Sequence, residues 1–479
     1  MTQPVHPALP DALPDDAGAA SAVRDALPAD LPADLPADLP GHLPDAVPAR
    51  AEAQPSVLDE LAWRGLVAQT TDTDALREAL AAGPVSFYCG FDPTAPSLHI
   101  GNLVQILTVR RLQDAGHRPF ALVGGATGLI GDPKMTGERT LNAPELVAGW
   151  VARIRRQIEP LLRFEGEGAA TMVNNLDWTQ DLSAIAFLRD VGRHYRLGTM
   201  LAKDTVARRL QSEQGISFTE FSYQILQGMD FLELHRRHGV TLQTGGSDQW
   251  GNLLSGVELV RRSEGAAVHA LTTPLITKAD GTKFGKTESG TVWLDPTMTT
   301  PYAFYQFWLQ ADDADVVRYL KVFTFRSRDE IEALEEDVRA RPAARAAQRA
   351  LAWDVTALVH GAAVAQAVVD ASEALFGRGA LADLDPDVLA AAVAGLPTAP
   401  GRPGDPLVDL LAATGVVASK AAARRAIGEG GASLNNARIT DADATLQEPD
   451  LLAGRWALLR RGKRTLAVVD AGPAGSPRP

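Results

Sequence analysis

The chain has 479 residues, 46% of them hydrophobic, which is enough for two or three domains with a sizeable core. Its net charge of −13 argues against general nucleic-acid affinity through bulk charge but leaves room for a local basic face. The single cysteine, Cys89, excludes a disulfide within the chain and an all-cysteine metal cluster. No apolar run reaches the roughly 18 residues of a membrane span, and the N-terminus lacks a signal-peptide pattern, so we expect a cytoplasmic protein that does not contact membranes.

Residues 1–56 form a proline-rich acidic segment in which Leu-Pro-Ala-Asp recurs. The segment holds eight Asp and one Glu against two Arg, and so carries −7 of the net charge. Proline at this density blocks helices and sheet ladders, and few large apolar side chains are left to bury. We expect a disordered extension, either a solvated tail or a binding segment.

From residue 57 onward, the hydrophobic pattern alternates between helices and strands. Strand, helix and strand with short links predict βαβ units, and hence a parallel sheet with right-handed crossovers. Ligands bind such a sheet beyond the carboxyl ends of its strands. The predicted strands are 85–88, 120–123, 171–173, 240–243 and 269–276, and the predicted helices are 57–67, 74–80, 102–115, 145–163 and 181–236 with a break near 215, followed by one more after 251.

The C-terminal half changes character. A helical pattern runs from 302 to about 384. Four prolines and three glycines between 395 and 406 predict a linker. A compact third unit follows from 407 to about 469, and residues 471–479 form a loose tail.

The stretch from Tyr88 to Asn102 has the layout of a phosphate site. A strand leads into a tight turn of glycine, proline and small polar residues, and His99-Ile100-Gly101 stands at the entrance of the next helix. Backbone N–H groups and the positive helix end would face an anion there. Taken alone, such a turn is more often an ordinary strand-to-helix connection.

A second motif lies in the polar loop 277–289, which we call the lysine loop. It reads Lys283-Phe284-Gly285-Lys286-Thr287. Two lysines three residues apart can place two ammonium groups on a polyphosphate. A lone pair of this kind is usually a solvated surface feature, but the combination with the His99 motif in an α/β chain is a stronger signal than either part.

Together the two motifs resemble the HIGH and KMSKS signatures of class I aminoacyl-tRNA synthetases. The chain from about 57 to 469 resembles bacterial tyrosyl-tRNA synthetases. The resemblance implies an α/β fold with a Rossmann-type parallel-sheet catalytic domain, then an α-helical domain and a small α+β RNA-binding domain of the S-four type, normally in a homodimer. The expected segments are 1–56 (extension), 57–290 (catalytic), 291–394 (helical), 395–406 (linker), 407–470 (RNA-binding) and 471–479 (tail).

The resemblance implies a two-step reaction. The carboxylate of L-tyrosine attacks the α-phosphorus of ATP, which gives tyrosyl-adenylate and pyrophosphate, and the 3′-terminal ribose hydroxyl of tRNA(Tyr) then takes the acyl group. Alignment and charge stabilisation do this work, without an enzyme nucleophile. ATP, with Mg²⁺, is implied as a substrate; a bound prosthetic group and a resident metal are not.

The resemblance also carries roles to single positions, residue by residue. The positions implied in catalysis, at the departing pyrophosphate, are Thr94, His99, Gly101, Asn102, Lys283, Lys286 and Thr287. The positions implied in tyrosine binding are Tyr88 and Asp230 at the phenol, Asp132, Tyr223 and Gln227 at the amino group, and Gln249 near the carboxylate. The positions implied in ATP binding are Cys89, Gly90, Asp92, His99, Gly246, Asp248 and Lys286, and those implied in RNA binding are Lys420, Arg424 and Arg425.

Three positions depart from the family pattern. Asn102 stands where the signature has its second histidine, and it can hydrogen-bond a ribose but carries no charge. Met229 stands where an aromatic residue is common, which bears on the packing beside Asp230. The segment 134–139 is shorter than in some relatives, and Lys134 receives no phosphate role.

Two other functions stay open at this point. A tryptophanyl enzyme is disfavoured by Asp230 and by the C-terminal basic unit. An RNA-binding protein with a defunct synthetase-like domain is disfavoured by the intact His99, Gly101, Lys283 and Lys286.

Overall fold

The computed structural model describes residues 56–133, 141–279, 281, 284–287, 290–375, 380–462 and 465–472, all within one compact unit. The predicted extension (apart from Ser56), Lys134, Lys283 and most of the predicted tail lie outside these residues. Lys286 and Thr287 are described by their backbone only.

Strands and helices alternate through the first half of the described chain, as the hydrophobic pattern predicts. The strands are β1 (Gln69–Thr70), β2 (Ser86–Phe91), β3 (Arg118–Val123), β4 (Thr171–Asn174), β5 (Leu242–Gly246), β6 (His269–Thr273), β7 (Lys286–Thr287), β8 (Gly290–Thr291), β9 (Thr398–Pro400), β10 (Ala432–Leu434), β11 (Ala437–Arg438), β12 (Trp456–Arg461) and β13 (Thr465–Asp470).

The helices vary from single turns to six turns. They are α1 (Val57–Trp63), α2 (Thr73–Ala82), α3 (Ile100–Asp114), α4 (Thr127–Ile130), α5 (Pro144–Ile158), α6 (Leu176–Thr179), α7 (Ala184–Ala186), α8 (Leu197–Leu201), α9 (Asp204–Leu210), α10 (Phe218–His238), α11 (Trp250–Glu264), α12 (Pro301–Leu309), α13 (Asp313–Phe323), α14 (Arg328–Ala340), α15 (Ala346–His360), α16 (Ala362–Leu375), α17 (Pro386–Val393), α18 (Leu407–Ala413) and α19 (Lys420–Gly428).

The first sheet has six strands in the order β1-β6-β5-β2-β3-β4. Strands β2 to β6 pair in parallel, and β1 adds antiparallel to β6. Strand β2 is buried on both faces: Phe87, Cys89 and Phe91 enter one apolar cluster, and Tyr88 enters another. Both faces are thus covered, as is usual for parallel sheets. The turns after β2, β3, β4 and β5 meet at the carboxyl edge, where the predicted ligand residues lie.

Several boundaries differ from the sequence prediction. Helix α1 ends at Trp63, four residues before the predicted end at 67, and the short strand β1, which was not predicted, follows at Gln69–Thr70. The predicted helical stretch 181–236 is a series of short helices before α10, which alone has 21 residues. Glycine and polar residues interrupt the stretch before Ser217, whose side chain accepts a hydrogen bond from the N–H of Glu220 and so caps α10.

The C-terminal part contains a second sheet of five strands in the order β11-β10-β12-β13-β9. Strand β9 lies inside the predicted linker 395–406 and pairs in parallel with β13. Its proline is tolerated because β9 is an edge strand. An apolar cluster also joins Leu389 and Val393 of α17 to Leu458 and Val468 of this sheet. The linker is therefore partly a strand, while the domain boundaries stay predictions.

No helix in the described ranges is both long and apolar enough to cross a membrane.

Candidate active site

The predicted phenol-binding pair, Tyr88 on β2 and Asp230 on α10, is buried, and we call its surroundings the predicted phenol pocket. Tyr88 is 1% exposed and Asp230 is 3% exposed. The Tyr88 hydroxyl makes no hydrogen bond within the described part of the chain. Burial and the nearby Asp230 carboxyl raise the pKa of Tyr88 well above its ordinary value. The hydroxyl is therefore a protonated, unsatisfied polar group, and such a group awaits a partner.

Two side chains that the sequence did not single out hold the Asp230 carboxylate. Asn175 Nδ2 donates to one oxygen at 3.0 Å, and Trp178 Nε1 donates to the other at 2.9 Å. Burial raises the pKa of Asp230 to about 8, although these two hydrogen bonds oppose the shift. In the sequence, the one signal for Asn175 was its place in Asn174-Asn175, just after the predicted strand 171–173. Trp178 had no such signal.

A chain of hydrogen bonds joins the phenol pocket to the predicted amino-group residues. Asn175 Nδ2 also donates to Thr127 Oγ1 at 3.0 Å, and Thr127 Oγ1 donates to Asp92 Oδ1 at 2.6 Å. The second oxygen of Asp92 accepts from the Tyr223 hydroxyl at 2.6 Å. Asp92, predicted as an ATP residue, thus directly contacts Tyr223, predicted as an amino-acid residue. The carboxylate connects the two subsites.

Gly124 makes this arrangement possible. A Cβ at Gly124 would lie 2.0 Å from Asp92 Oδ1 and 2.3 Å from Thr127 Oγ1, so any larger residue would displace both. The turn after β3 is therefore glycine because the carboxylate approaches its backbone.

One face of α10 presents three of the predicted residues. Tyr223, Gln227 and Asp230 stand at i, i+4 and i+7, and hence on the same side of the helix. Gln227 Oε1 is buried without a hydrogen-bond partner in the described ranges. Met229, one of the departures, is 3% exposed and belongs to the apolar cluster around Phe231, so it serves as packing.

Asp132 and Gln249 are joined by a hydrogen bond. Gln249 Nε2 donates to Asp132 Oδ2 at 3.0 Å, and Asn252 Nδ2 donates to Asp132 Oδ1 at 3.2 Å. Lys203, which the sequence did not indicate, donates to the Gly251 carbonyl at 2.7 Å. Burial lowers the pKa of Lys203 to about 8, against the opposing effect of Asp132.

His99 is the N-cap of α3. Its Nδ1 accepts from the N–H of Gly101 at 3.0 Å, and its own N–H donates to Asn102 Oδ1 at 3.1 Å. This reciprocal pattern is a capping box. Asn102 therefore has a local structural role in opening the helix. A Cβ at Gly101 would lie 2.8 Å from His99 Cε1, which accounts for the glycine.

The remaining ATP positions lie at the ends of β2 and β5. Gly90 is exposed, while Cys89 is 1% exposed and lies in the apolar cluster on the α3 side. Burial raises the pKa of the Cys89 thiol to about 12. Gly246 is held close to Asp248, since a Cβ there would lie 2.5 Å from Asp248 Oδ1. Thr94 is exposed in the turn before His99.

The lysine loop lies against the start of α3, far away in sequence. The Gly285 carbonyl accepts from the N–H of Val292 at 3.0 Å, and the Val292 carbonyl accepts from the N–H of Ile100 at 3.2 Å. Gly285 has φ +80°, and a Cβ there would lie 2.9 Å from Ile100 Cγ1. The fold thus brings the backbone of both motifs together. The side chains of Lys283, Lys286 and Thr287 lie outside the described residues.

Comparisons with known proteins identify the family of the chain. Residues 80–377 match the family "tRNA synthetases class I (W and Y)", and residues 389–469 match the "Tyrosine--tRNA ligase SYY-like C-terminal domain". The tyrosine–tRNA ligases of Streptomyces coelicolor and Streptomyces avermitilis are each 66% identical over 415 residues, which is 86% of this chain and 98% of each relative. The chain belongs to the tyrosine–tRNA ligase family.

A solved member of this family has the same fold. The crystal structure of a C-terminally truncated mitochondrial tyrosyl-tRNA synthetase from Coccidioides posadasii superposes with a TM-score of 0.59 at 34% identity. The alignment covers 66% of this chain and 91% of that one. The predicted fold class and the family resemblance are confirmed. The roles of single site residues stay predictions, because family membership does not test them.

The C-terminal unit, which matches the tyrosine-specific family domain, carries the predicted RNA-binding residues on α19. Lys420, Arg424 and Arg425 are exposed. Lys420 Nζ lies 2.9 Å from Asp409, and Arg424 lies 3.1 Å from Asp443. Surface ion pairs of this kind contribute little to stability, so an RNA phosphate can replace the carboxylates.

Proposed function

We propose that this chain is a tyrosine–tRNA ligase that activates L-tyrosine with ATP and then transfers it to tRNA(Tyr). The observation that carries the proposal is the buried pocket of Tyr88 and Asp230 at the carboxyl edge of a parallel sheet. The defunct RNA-binding alternative is not favoured, because this pocket and the relatives both indicate a ligase.

The pocket selects tyrosine through its phenol. The substrate hydroxyl can donate to an oxygen of Asp230 and accept from Tyr88, which gives the buried Tyr88 hydroxyl the partner it lacks. Phenylalanine would leave this hydroxyl without a partner, at a cost of about 1–3 kcal/mol. Tyr223, Gln227 and Asp132 offer oxygens to the substrate ammonium, which donates only.

In the first step, a carboxylate oxygen of tyrosine forms a bond to the α-phosphorus of ATP. The bond between that phosphorus and the bridging oxygen to the β-phosphorus breaks, and pyrophosphate leaves with the electron pair. ATP enters as its Mg²⁺ complex. Thr94 and His99, at the start of α3, and the lysines of the lysine loop would contact the departing phosphates. Stabilisation of that charge lowers the barrier.

Tyrosine-dependent exchange of labelled pyrophosphate into ATP tests this step. We expect exchange with tyrosine and none with tryptophan or phenylalanine. Exchange with tryptophan would replace the proposal by a tryptophanyl enzyme. Absence of exchange with every amino acid would favour the RNA-binding alternative.

In the second step, the 3′-terminal ribose hydroxyl attacks the acyl carbon of the adenylate and AMP leaves. We propose that α19 contacts the tRNA backbone through Lys420, Arg424 and Arg425. The prediction to test is an affinity for tRNA(Tyr) that falls steeply with salt, since phosphate contacts release counterions. A salt-independent affinity would contradict it.

We also propose that the protein is a homodimer. Exposed apolar side chains gather in one stretch of the chain, and Phe218 is 74% exposed, Ile185 72% and Leu197 66%. Large exposed apolar groups mark interaction sites. Phe218→Asp should shift the mass in sedimentation from dimer to monomer, whereas Leu275→Asp, at a residue 58% exposed elsewhere, should not. A wild-type monomer would refute the dimer.

Finally, we propose a cytoplasmic location and a reaction that needs no bound prosthetic group. Cell fractionation tests the first, and an absorbance spectrum of the purified active protein tests the second. Activity in a membrane fraction or a cofactor absorption band would contradict the respective proposal.

A further inference from the structure

Helix α13 contacts both the lysine loop and the helix α3 that begins after His99. We propose that α13 is a strut that fixes the lysine loop against the His99 helix α3, and that Phe284 is the positioning residue that seats the loop on this strut. The inference rests on the proposed function, because it concerns how the pyrophosphate-contacting residues are held.

Phe284 anchors the loop in an aromatic cluster. Its side chain is buried although its neighbours in the loop are small, polar or charged. The ring centroid lies 4.7 Å from that of Tyr319 and 5.5 Å from that of Phe323, both on α13. Phe307 and Trp308 of α12 complete the cluster at 5.5 and 5.7 Å. A ring enclosed in this way keeps the adjacent backbone in place.

A hydrogen bond attaches the loop to α13 at a second point. The N–H of Ala279 donates to Asp315 Oδ2 at 3.1 Å, and Asp315 is 3% exposed. The two attachments bracket Lys283 in sequence, and Lys286 begins strand β7 two residues after Phe284. The backbone on both sides of the first lysine is thus tied to one helix.

The C-terminal end of α13 is tied to α3. Arg111, in the last turn of α3, donates from Nη2 to the Thr324 carbonyl at 2.6 Å. Arg64 Nη1 donates to the same carbonyl at 3.1 Å and to the Lys321 carbonyl at 2.9 Å. These carbonyls are the unsatisfied acceptors at the end of α13, where cations are favourable. The buried Arg111 guanidinium therefore ties α13 to the helix that begins after His99, and the buried Arg64 guanidinium, which follows α1, binds the same end of α13.

The strut explains how two motifs far apart in sequence can act on one leaving group. His99 lies at the first end of α3 and Arg111 at the other, and the end of α13 that Arg111 binds also carries Tyr319 and Phe323, which pack against Phe284. Alignment of reacting groups is sensitive to small shifts, and a displacement of about 1 Å costs about 100-fold in rate. Loss of the anchor should therefore lower the rate of adenylate formation while the tyrosine pocket stays intact.

The test compares Phe284→Ala and Phe284→Leu with Phe304→Ala in the full-length protein. Phe304 is a fully buried ring of α12 that contacts Trp308 and His360, so it controls for loss of aromatic packing without loss of the loop anchor. The measurements are kcat for tyrosine-dependent pyrophosphate exchange, KM for tyrosine, and the tyrosine Kd from equilibrium dialysis.

We expect Phe284→Ala to lower kcat about 100-fold with an unchanged tyrosine Kd, since misplacement affects the reaction and not the pocket. The kcat of Phe284→Leu should lie between those of Phe284→Ala and wild type, because leucine fills part of the space inside the aromatic cluster. Phe304→Ala should keep kcat within about 3-fold. Wild-type kcat in Phe284→Leu and Phe284→Ala, or equal losses in Phe284→Ala and Phe304→Ala, would overturn the anchor.

Arg111→Met tests the contact between α3 and α13, and it provides a second test if Phe284→Ala fails to fold. Methionine keeps the apolar stem of the side chain and removes the guanidinium group with its N–H donors. We expect a lower kcat with an unchanged tyrosine Kd; an unchanged kcat would overturn the strut. If the wild-type protein shows no exchange, the proposed function fails. If the wild type and all the variants are equally active, the proposed function stands and only the strut fails.

Discussion

The tyrosine pocket and the lysine loop are held in place by different forces. In the pocket, polar side chains bond to one another in a chain from Trp178 through Asp230 to Asp92 and Tyr223. In the loop, the apolar Phe284 ring and hydrogen bonds of the Ala279 and Gly285 backbone hold the segment that carries the lysines. In the proposed function, the pocket distinguishes a hydroxyl from its absence, which fixed polar partners achieve. The loop sets the distance to a charged leaving group in the same proposal, which a packed anchor achieves.

The largest effect should come from the loop itself. In the proposed function, Lys286 stabilises the departing pyrophosphate, so Lys286→Ala should lower kcat by about 10²–10³, the cost of losing one such group. Tyrosine affinity should stay unchanged because the pocket is separate. Exchange kinetics and equilibrium dialysis measure the two. Lys278→Ala, in the same loop, is the matched control and should have near-wild-type kcat; equal losses in kcat and tyrosine affinity in Lys286→Ala would contradict the division of roles.

A change in the pocket should have the reverse signature. Asp230→Asn replaces the acceptor of the substrate phenol and should raise the tyrosine Kd about 10- to 100-fold, the equivalent of 1–3 kcal/mol. The ratio of kcat with tyrosine to kcat with phenylalanine should also be lower than in the wild type. Glu233→Gln, one turn further along α10, is the control. Unchanged tyrosine affinity in Asp230→Asn would remove this carboxylate from recognition.

The pocket should also show in the pH dependence of stability. Burial raises the pKa of Asp230 from 3.8 to about 8, so the folded protein binds this proton more tightly than the unfolded chain does. The group therefore lowers the free energy of unfolding as pH rises through that window, by at most about 1.4 kcal/mol per pH unit. In urea denaturation, the free energy of unfolding of Asp230→Asn relative to that of wild type should be higher at pH 8 than at pH 5. A constant difference would mean that Asp230 keeps an ordinary pKa.

A moderate effect is expected in the C-terminal unit. Replacement of Lys420, Arg424 and Arg425 by alanine should weaken tRNA(Tyr) binding uniformly and reduce the salt slope by about 1 per lost contact. Pyrophosphate exchange should stay at the wild-type rate, because α19 lies outside the pocket. Arg339→Ala, at an exposed arginine paired with Glu335, is the control. An unaltered salt slope would place the RNA elsewhere.

The smallest effect is expected at Asn102. Asn102→Ala breaks the capping box at His99 and should cost about 1 kcal/mol of stability. Asn102→Asp keeps an acceptor and a favourable charge at the helix start, and so should restore it. Thermal or urea unfolding measures both. A stability equal to wild type in Asn102→Ala would show that the side chain does not cap α3.

The parallel sheet and the two motifs could be predicted from the sequence, because they depend on periodicity and on short local patterns, whereas the order of the domains was implied by the family resemblance. It did not predict the polar chain through Thr127 and Asn175, since those contacts join residues far apart. Strand β9 was mistaken for part of a linker, because proline and glycine conceal an edge strand that exists only through pairing with β13. Phe284 was visible in the loop motif, but its role depends on α13, which periodicity alone cannot orient.

The most direct test of the account is pyrophosphate exchange by the full-length protein with tyrosine, phenylalanine and tryptophan in turn, alongside tyrosine Kd values for Lys286→Ala and Asp230→Asn. The account predicts exchange with tyrosine alone, a loss of kcat only in Lys286→Ala, and a loss of affinity mainly in Asp230→Asn. Exchange with another amino acid, or the same kinetic defect in both variants, would contradict it.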